Sequence, residues 1–287
     1  MADTPSEAQA PPGKTSRAGR NLPAAIAVSL ALGGLVIGTL VFAPRGWVLV
    51  LSVAMAIATH EVVKRLREGG YSIPLIPLLI GGQAIIWLTW PFGAAGALGG
   101  YGGTVLVCLI WRLLSGGLQS QPVNYLRDVA ITVFLATWIP LFAAFAALLV
   151  YPENGWARVF TFMLAVVFSD IGGYAAGVLF GKHRMVPAIS PKKSWEGFTG
   201  SLVCGTLAAV LAVVFLMHQP WWIGIPLGLM LVITATAGDL VESQFKRDLG
   251  IKDMGTLLPG HGGLMDRIDG ALPSAVATWI VLSLLAT

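Results

Sequence analysis

The sequence predicts an all-α, polytopic membrane bundle of about nine transmembrane helices, with the N-terminus cytoplasmic and the C-terminus outside. Three observations carry this reading. Of 287 residues, 56% are hydrophobic and 11% are charged, against about 25% charged in soluble domains. Apolar runs close to the roughly 20 residues that a helix needs to cross a bilayer recur along the chain. The basic residues sort into alternate gaps between those runs.

Residues 1–21 are rich in Pro, Ala, Ser and Thr and carry Lys14, Arg17 and Arg20. That composition cannot bury a core, so a disordered basic tail is expected. The run at 22–43 exceeds the roughly 7–15 apolar residues of a signal-peptide core and is expected to stay as a span. Runs at 46–63, 73–91, 93–113 and 129–150 complete five spans in an N-terminal region, 22–150. Four more, at 157–180, 197–217, 221–241 and 268–286, belong to a C-terminal region, 151–287, with polar loops at 181–196 and 242–267. Runs this long and this evenly apolar exclude tilted barrel strands.

With the N-terminus inside and the spans alternating, sixteen of the eighteen Lys and Arg fall on the cytoplasmic side; Arg45 and Arg158 are the exceptions. A wrong span count would scatter these charges over both faces. Cys108 and Cys204 lie inside apolar runs and are expected to pack, forming neither a disulfide nor a zinc site. Trp47, Trp90, Trp111, Trp156, Trp221 and Trp222 fall near span ends, as in an interfacial belt. They do not form a base-stacking platform, and no nucleic-acid partner is expected. His60, His183, His218 and His261 show no metal-ligand spacing. His60 and Glu61 read as the end of the second span and receive no site role.

Ten of the thirty-two charged side chains fall between Asp239 and Gly270. If the eighth span continues as a helix past Gly238, then Asp239, Glu242, Ser243 and Lys246 share one face by i, i+3, i+4 spacing. Two carboxylates and a hydroxyl suit Mg²⁺, which is typically held by one or two carboxylates together with substrate phosphates. Lys246 and Arg247 would meet the phosphate charge. The plainer reading is a helix end at the headgroup level with paired charges. Asp239 weighs against it, because it follows an apolar stretch and acids at that depth are costly. Pro259-Gly260-His261-Gly262-Gly263 then allows close backbone approach to a ligand. A ninth helix starting near Asp266 would turn its free N–H groups toward an anion, with Asp266 and Asp269 pointing the same way. An ordinary glycine turn with acids at a helix N-terminus is the plainer alternative. Asp170, alone within an apolar run, needs a partner, a metal or a polar cavity. The following loop, with Lys182, Arg184, Lys192 and Lys193, reads either as a positive-inside loop or as a clamp for a nucleoside triphosphate.

Ser243-x-x-Lys246-Arg247, Lys252-Asp253, Pro259-Gly260-His261-Gly262-Gly263 and Asp266-Arg267-x-Asp269 together resemble the signature of the phosphatidate cytidylyltransferases, or CDP-diacylglycerol synthases. Phe180-Gly181-Lys182-His183 and Ile189-Ser190-Pro191-Lys192-Lys193-Ser194-Trp195-Glu196-Gly197 are similar to that family's other characteristic loop. The likeness spans roughly residues 165–280; Gly270 stands where the family often has Ser. It implies that CTP and phosphatidate give CDP-diacylglycerol and pyrophosphate, in phospholipid biosynthesis at the cell's inner (plasma) membrane, with the site on the cytoplasmic side of the 151–287 region. It also implies Mg²⁺ and leaves open a second metal ion and a homodimer. On this reading Asp239 and Asp266 are the main metal ligands, with Glu242, Asp269 and Ser243 beside them. Asp239, Asp266, Asp269, Lys246 and Arg247 carry the chemistry. Lys246, Arg247, Lys252 and Arg267 bind phosphates. Lys192 and Lys193 reach the triphosphate or the lipid headgroup, Asp170 faces the substrates, and His261, Gly262 and Gly263 shape the wall. Two alternatives remain open: a CTP-dependent lipid-alcohol kinase, or, in a different class, an ion or solute transporter.

Overall fold

The computed structural model describes residues 33–43, 45–116, 118–119, 121–255, 257 and 262–286. The basic tail, the start of the first apolar run and His261 lie outside the described residues. Nine helices occur among those described: α1 Gly33–Phe42, α2 Gly46–Glu68, α3 Leu75–Trp87, α4 Thr89–Ser115, α5 Tyr125–Leu148, α6 Gly155–Phe180, α7 Trp195–Phe215, α8 Trp221–Asp248 and α9 Met265–Leu285. Each coincides with one of the nine apolar runs. The chain is an all-α polytopic membrane protein in which seven of these helices are long and apolar enough to cross a bilayer.

The span expected at 73–91 divides instead. The α3 helix has 13 residues, about 20 Å at 1.5 Å per residue, shorter than the roughly 30 Å hydrocarbon layer. A new helix begins at Thr89, and Gly93, at φ 57° and ψ −140°, breaks its first turn from the rest. In α5 the backbone widens to a π-helical turn at Thr137–Leu141 around Pro140. Proline has no N–H to give the α ladder, and the wider turn absorbs the missing bond.

The interior is built from α2, α5, α8 and α9, through residues such as Val62, Ile139, Leu231 and Leu282, each fully buried. The flanks of α4, α6 and α7 expose Leu106, Val167 and Leu207, as lipid-facing helices do. Trp47 departs from the expected belt: it is 6% exposed and its Nε1 donates to the Ala146 carbonyl at 3.1 Å. Cys108 and Cys204 are free thiols. The α6 and α7 helices pack closely. A Cβ on Gly172 would lie 2.5 Å from Cys204 Cβ, and one on Gly200 would lie 2.4 Å from Ala176 Cβ. Small residues let two backbones approach where no hydrophobic force between helices exists.

The loop at 181–196 is an ordered antiparallel hairpin, β1 Arg184–Val186 with β2 Ser190–Ser194. Trp195 N–H closes it onto the His183 carbonyl at 3.0 Å. Four polar segments meet at one end of the bundle. Arg127 donates to the Gly70 carbonyl at 2.7 Å, Arg65 to the Met254 carbonyl at 3.0 Å, and Arg247 to the Ile189 carbonyl at 3.3 Å. Asp128, 1% exposed, anchors this end by pairing with Arg112 and Arg127 at 2.9 Å each.

Candidate active site

At that end, α6, α7, α8, α9 and the hairpin enclose a cavity of about 520 Å³. The α8 helix continues to Asp248, so the face inferred from i, i+3, i+4 spacing forms. Ser243 Oγ donates to Asp239 Oδ1 at 3.3 Å, and Lys246 Nζ donates to Glu242 Oε2. Glu242 is fully buried, and its Oε1 has no hydrogen-bond partner among the described residues.

The α9 helix opens with a short turn, Met265–Ile268, pauses at Asp269-Gly270 and resumes at Ala271. Asp266 Oδ1 accepts from Lys246 Nζ at 2.9 Å, and its Oδ2 accepts from Met254 N at 3.0 Å and Gly263 N at 2.8 Å. Gly262, at φ +85°, takes a left-handed conformation that favours glycine, and a Cβ there would stand 3.1 Å from Asp266 Oδ2. Asp269 Oδ1 accepts from Gly270 N at 2.8 Å. The two helices touch through Gly238: a Cβ there would lie 2.4 Å from the Asp269 carbonyl oxygen. That contact sets Asp239 beside Asp269, close enough for their charges to repel.

Ser169 and Asp170 come from α6. Ser201 Oγ of α7 donates to the Ser169 carbonyl at 2.8 Å, which fixes the register that sends Asp170 into the cavity near Asp239. The hairpin covers the other side. Lys193 Nζ pairs with Asp239 Oδ2 at 2.5 Å, and Lys192 joins the lining. The hairpin is held at its base, where His183 Nδ1 meets Glu196 Oε1 at 2.6 Å, and Ser194 Oγ caps α7 by accepting from Gly197 N at 3.1 Å.

Nine charged residues therefore line one cavity: Asp170, Lys192, Lys193, Asp239, Glu242, Lys246, Asp266, Arg267 and Asp269. All were selected from the sequence. Ser243 supports the wall through Asp239 and does not line it. Arg247 lies one residue past Lys246, about 100° round the helix, and ties α8 to the hairpin. Lys252 is exposed in the loop beyond Gly250, where φ +67° ends the helix. Gly263 serves through its N–H, as the Asp266 donor.

The donor chemistry of the cavity fits a hard divalent cation: carboxylate oxygens from three helices, one of them on Glu242 with no partner among the described residues. Among the described residues no three acids gather at ligating distance, and the ammonium groups of Lys193 and Lys246 stand against Asp239 and Asp266.

One residue was missed. Glu61 of α2 is 8% exposed, and its Oε2 accepts from Met265 N at 3.1 Å. Its signal was available: like Asp170, it is an acid inside an apolar run.

Acids and bases crowded around one opening at the end of a membrane bundle define a membrane-embedded site for phosphate chemistry. The chain matches the cytidylyltransferase family over residues 23–285, and it belongs to that family. It is 65% identical over 286 residues to a phosphatidate cytidylyltransferase of Mycobacterium bovis, covering 96% of this chain and 93% of the relative. It is 64% identical to one of Mycobacterium leprae, covering 94% and 90%. A phosphatidate cytidylyltransferase of Staphylococcus saprophyticus is 30% identical over 238 residues, covering 82% and 91%.

Proposed function

We propose that this protein transfers the cytidylyl group of CTP to phosphatidate, giving CDP-diacylglycerol and pyrophosphate. The observation that carries the reading is the meeting of Asp239 and Asp266, from separate helices, with Lys193, Lys246 and Arg267 around one cavity. The high identity to phosphatidate cytidylyltransferases supports the same substrates.

The chemistry asks little acid–base work of the protein. A phosphate oxygen of the lipid, already ionised at neutral pH, attacks the α-phosphorus of CTP. The bond from that phosphorus to the bridging oxygen breaks, and pyrophosphate leaves with the electron pair. The barrier is the approach of two polyanions, so positioned cations carry the catalysis. Lys193 and Lys246, released from Asp239 and Asp266, would reach the phosphates, with Lys192 and Arg267 at the mouth. Asp239, Asp266, Asp269 and Glu242 would hold Mg²⁺, which when bound offsets phosphate charge and aligns the reacting oxygens. The lining includes Val166, Phe198, Ala235 and Ala271 as well as charge, which suits a lipid entering from the bilayer and a nucleotide entering from water. The sorting of basic residues supports a cell membrane with this site on the cytoplasmic side.

The test is the full chain in detergent with CTP, phosphatidate and Mg²⁺. Release of pyrophosphate with formation of CDP-diacylglycerol is expected, and EDTA should stop it. Formation of CDP, marking γ-phosphate transfer, or no nucleotide turnover would refute the proposal.

A further inference from the structure

Glu61 does not line the cavity, yet its carboxylate faces the first turn of α9, which carries Asp266. A buried carboxylate needs partners, and here they are backbone. Met265 N, the first N–H of α9, donates to Oε2 at 3.1 Å. Oε1 takes no hydrogen bond among the described residues and lies against Gly255, where a Cβ would come within 2.3 Å of it. A Cβ on Gly263 would come within 2.8 Å of Oε2. One turn along the same helix, Arg65 Nε donates to the Met254 carbonyl at 3.0 Å.

These contacts converge on one side chain. Met254 and Gly263 are the residues whose N–H groups hold Asp266, and Met265 immediately precedes it. Glu61 bonds Met265 and packs against Gly255 and Gly263, and Arg65 bonds Met254 itself. We propose that Glu61, assisted by Arg65, is a positioning residue that fixes Asp266 in the reacting site by holding the backbone at and next to its two donors. The inference rests on the cytidylyl-transfer reading only in taking Asp266 to work in the reaction. It gives α2, from the other half of the chain, a part in the site.

The test compares the full chain with Glu61→Ala, Glu61→Gln and Arg65→Ala in detergent. Three quantities are read: thermal unfolding, steady-state turnover of CTP and phosphatidate, and hydrogen exchange at the amides of Met254, Gly263 and Met265. Displacing a supporting group or a reacting group by about 1 Å costs about 10–100-fold. Glu61→Ala is therefore expected to lower kcat by that factor, change KM for CTP less, and speed exchange at the three amides. Glu61→Gln keeps an oxygen for Met265 N–H and should recover most of kcat. A folded Glu61→Ala protein with wild-type kcat, or with wild-type exchange at those amides, overturns the proposal. Should Glu61→Ala not fold, Arg65→Ala decides, since it leaves the buried carboxylate in place. Faster exchange with lower kcat supports the clamp, and wild-type values of both overturn it. A wild-type chain inactive on CTP and phosphatidate would sink the reaction reading instead, and the exchange arm would still judge the clamp.

Discussion

Gly238→Ala asks whether the spacing of α8 and α9 sets the rate. The added Cβ would stand 2.4 Å from the Asp269 carbonyl oxygen and 2.6 Å from Pro273 Cγ. Ordinary contact begins near 3.4 Å, so one methyl group forces about 1 Å of separation into a packed interface. Neither blocking group can rotate aside, since one is backbone and the other a proline ring. Asp239 follows Gly238 directly and Asp269 owns the carbonyl, so the wedge opens between two carboxylates of the site. Overpacking of this kind destabilises by about 1–3 kcal/mol. The displacement should slow turnover by about 100-fold, equivalent to about 2.7 kcal/mol of activation free energy. The assay is pyrophosphate release from CTP and phosphatidate in detergent, normalised to folded protein by thermal unfolding. Gly102→Ala serves as the control: no atom lies within 4 Å of its new Cβ, and turnover should not change. A folded Gly238→Ala protein working within about threefold of wild type would refute the reasoning, because the site would then tolerate the separation.

Asp239→Asn should cost about 100-fold or more in turnover with little change in unfolding temperature, because the Asp239 side chain is 43% exposed; near-normal turnover would remove it from the reaction. Lys246→Met leaves Glu242 and Asp266 facing each other without their shared cation, and loss of one member of such a buried cluster should destabilise by about 3–5 kcal/mol, read as a lower unfolding temperature in detergent. Asp128→Ala strands Arg112 and Arg127 at the polar end; the same order of destabilisation, about 3–5 kcal/mol, is expected, with kcat per folded molecule unchanged.

Much of the site was legible because its residues are near neighbours in sequence. The α8 face follows from helical spacing, and Lys246 does bridge to Glu242 one turn away. Asp266 was placed at a helix start from its glycine-rich lead-in, and α9 begins one residue before it. Arg247 shows the limit of that reasoning: a motif gives neighbours, whereas the helix turns the next residue away from the cavity. The hairpin at 184–194 was hidden because its strands are short and polar and carry no apolar alternation. Its order comes from His183, Glu196 and the cap of α7. Glu61 was passed over because it reads as the end of the second span, while the partner that shows its role lies 204 residues away.

That the chain is a polytopic helical membrane protein could be read from the chain alone, because bilayer thickness fixes how long an apolar helix must be and the hydrocarbon's cost for charge confines polar segments to the ends. Spacing within a helix likewise required no fold. Folding alone decided that α3 is too short to cross, that Lys193 meets Asp239, that Glu242 is sealed from solvent and that α2 holds the first turn of α9. Each of these depends on contacts between distant segments, where a displacement of one ångström changes the partner, and linear order carries no record of that distance.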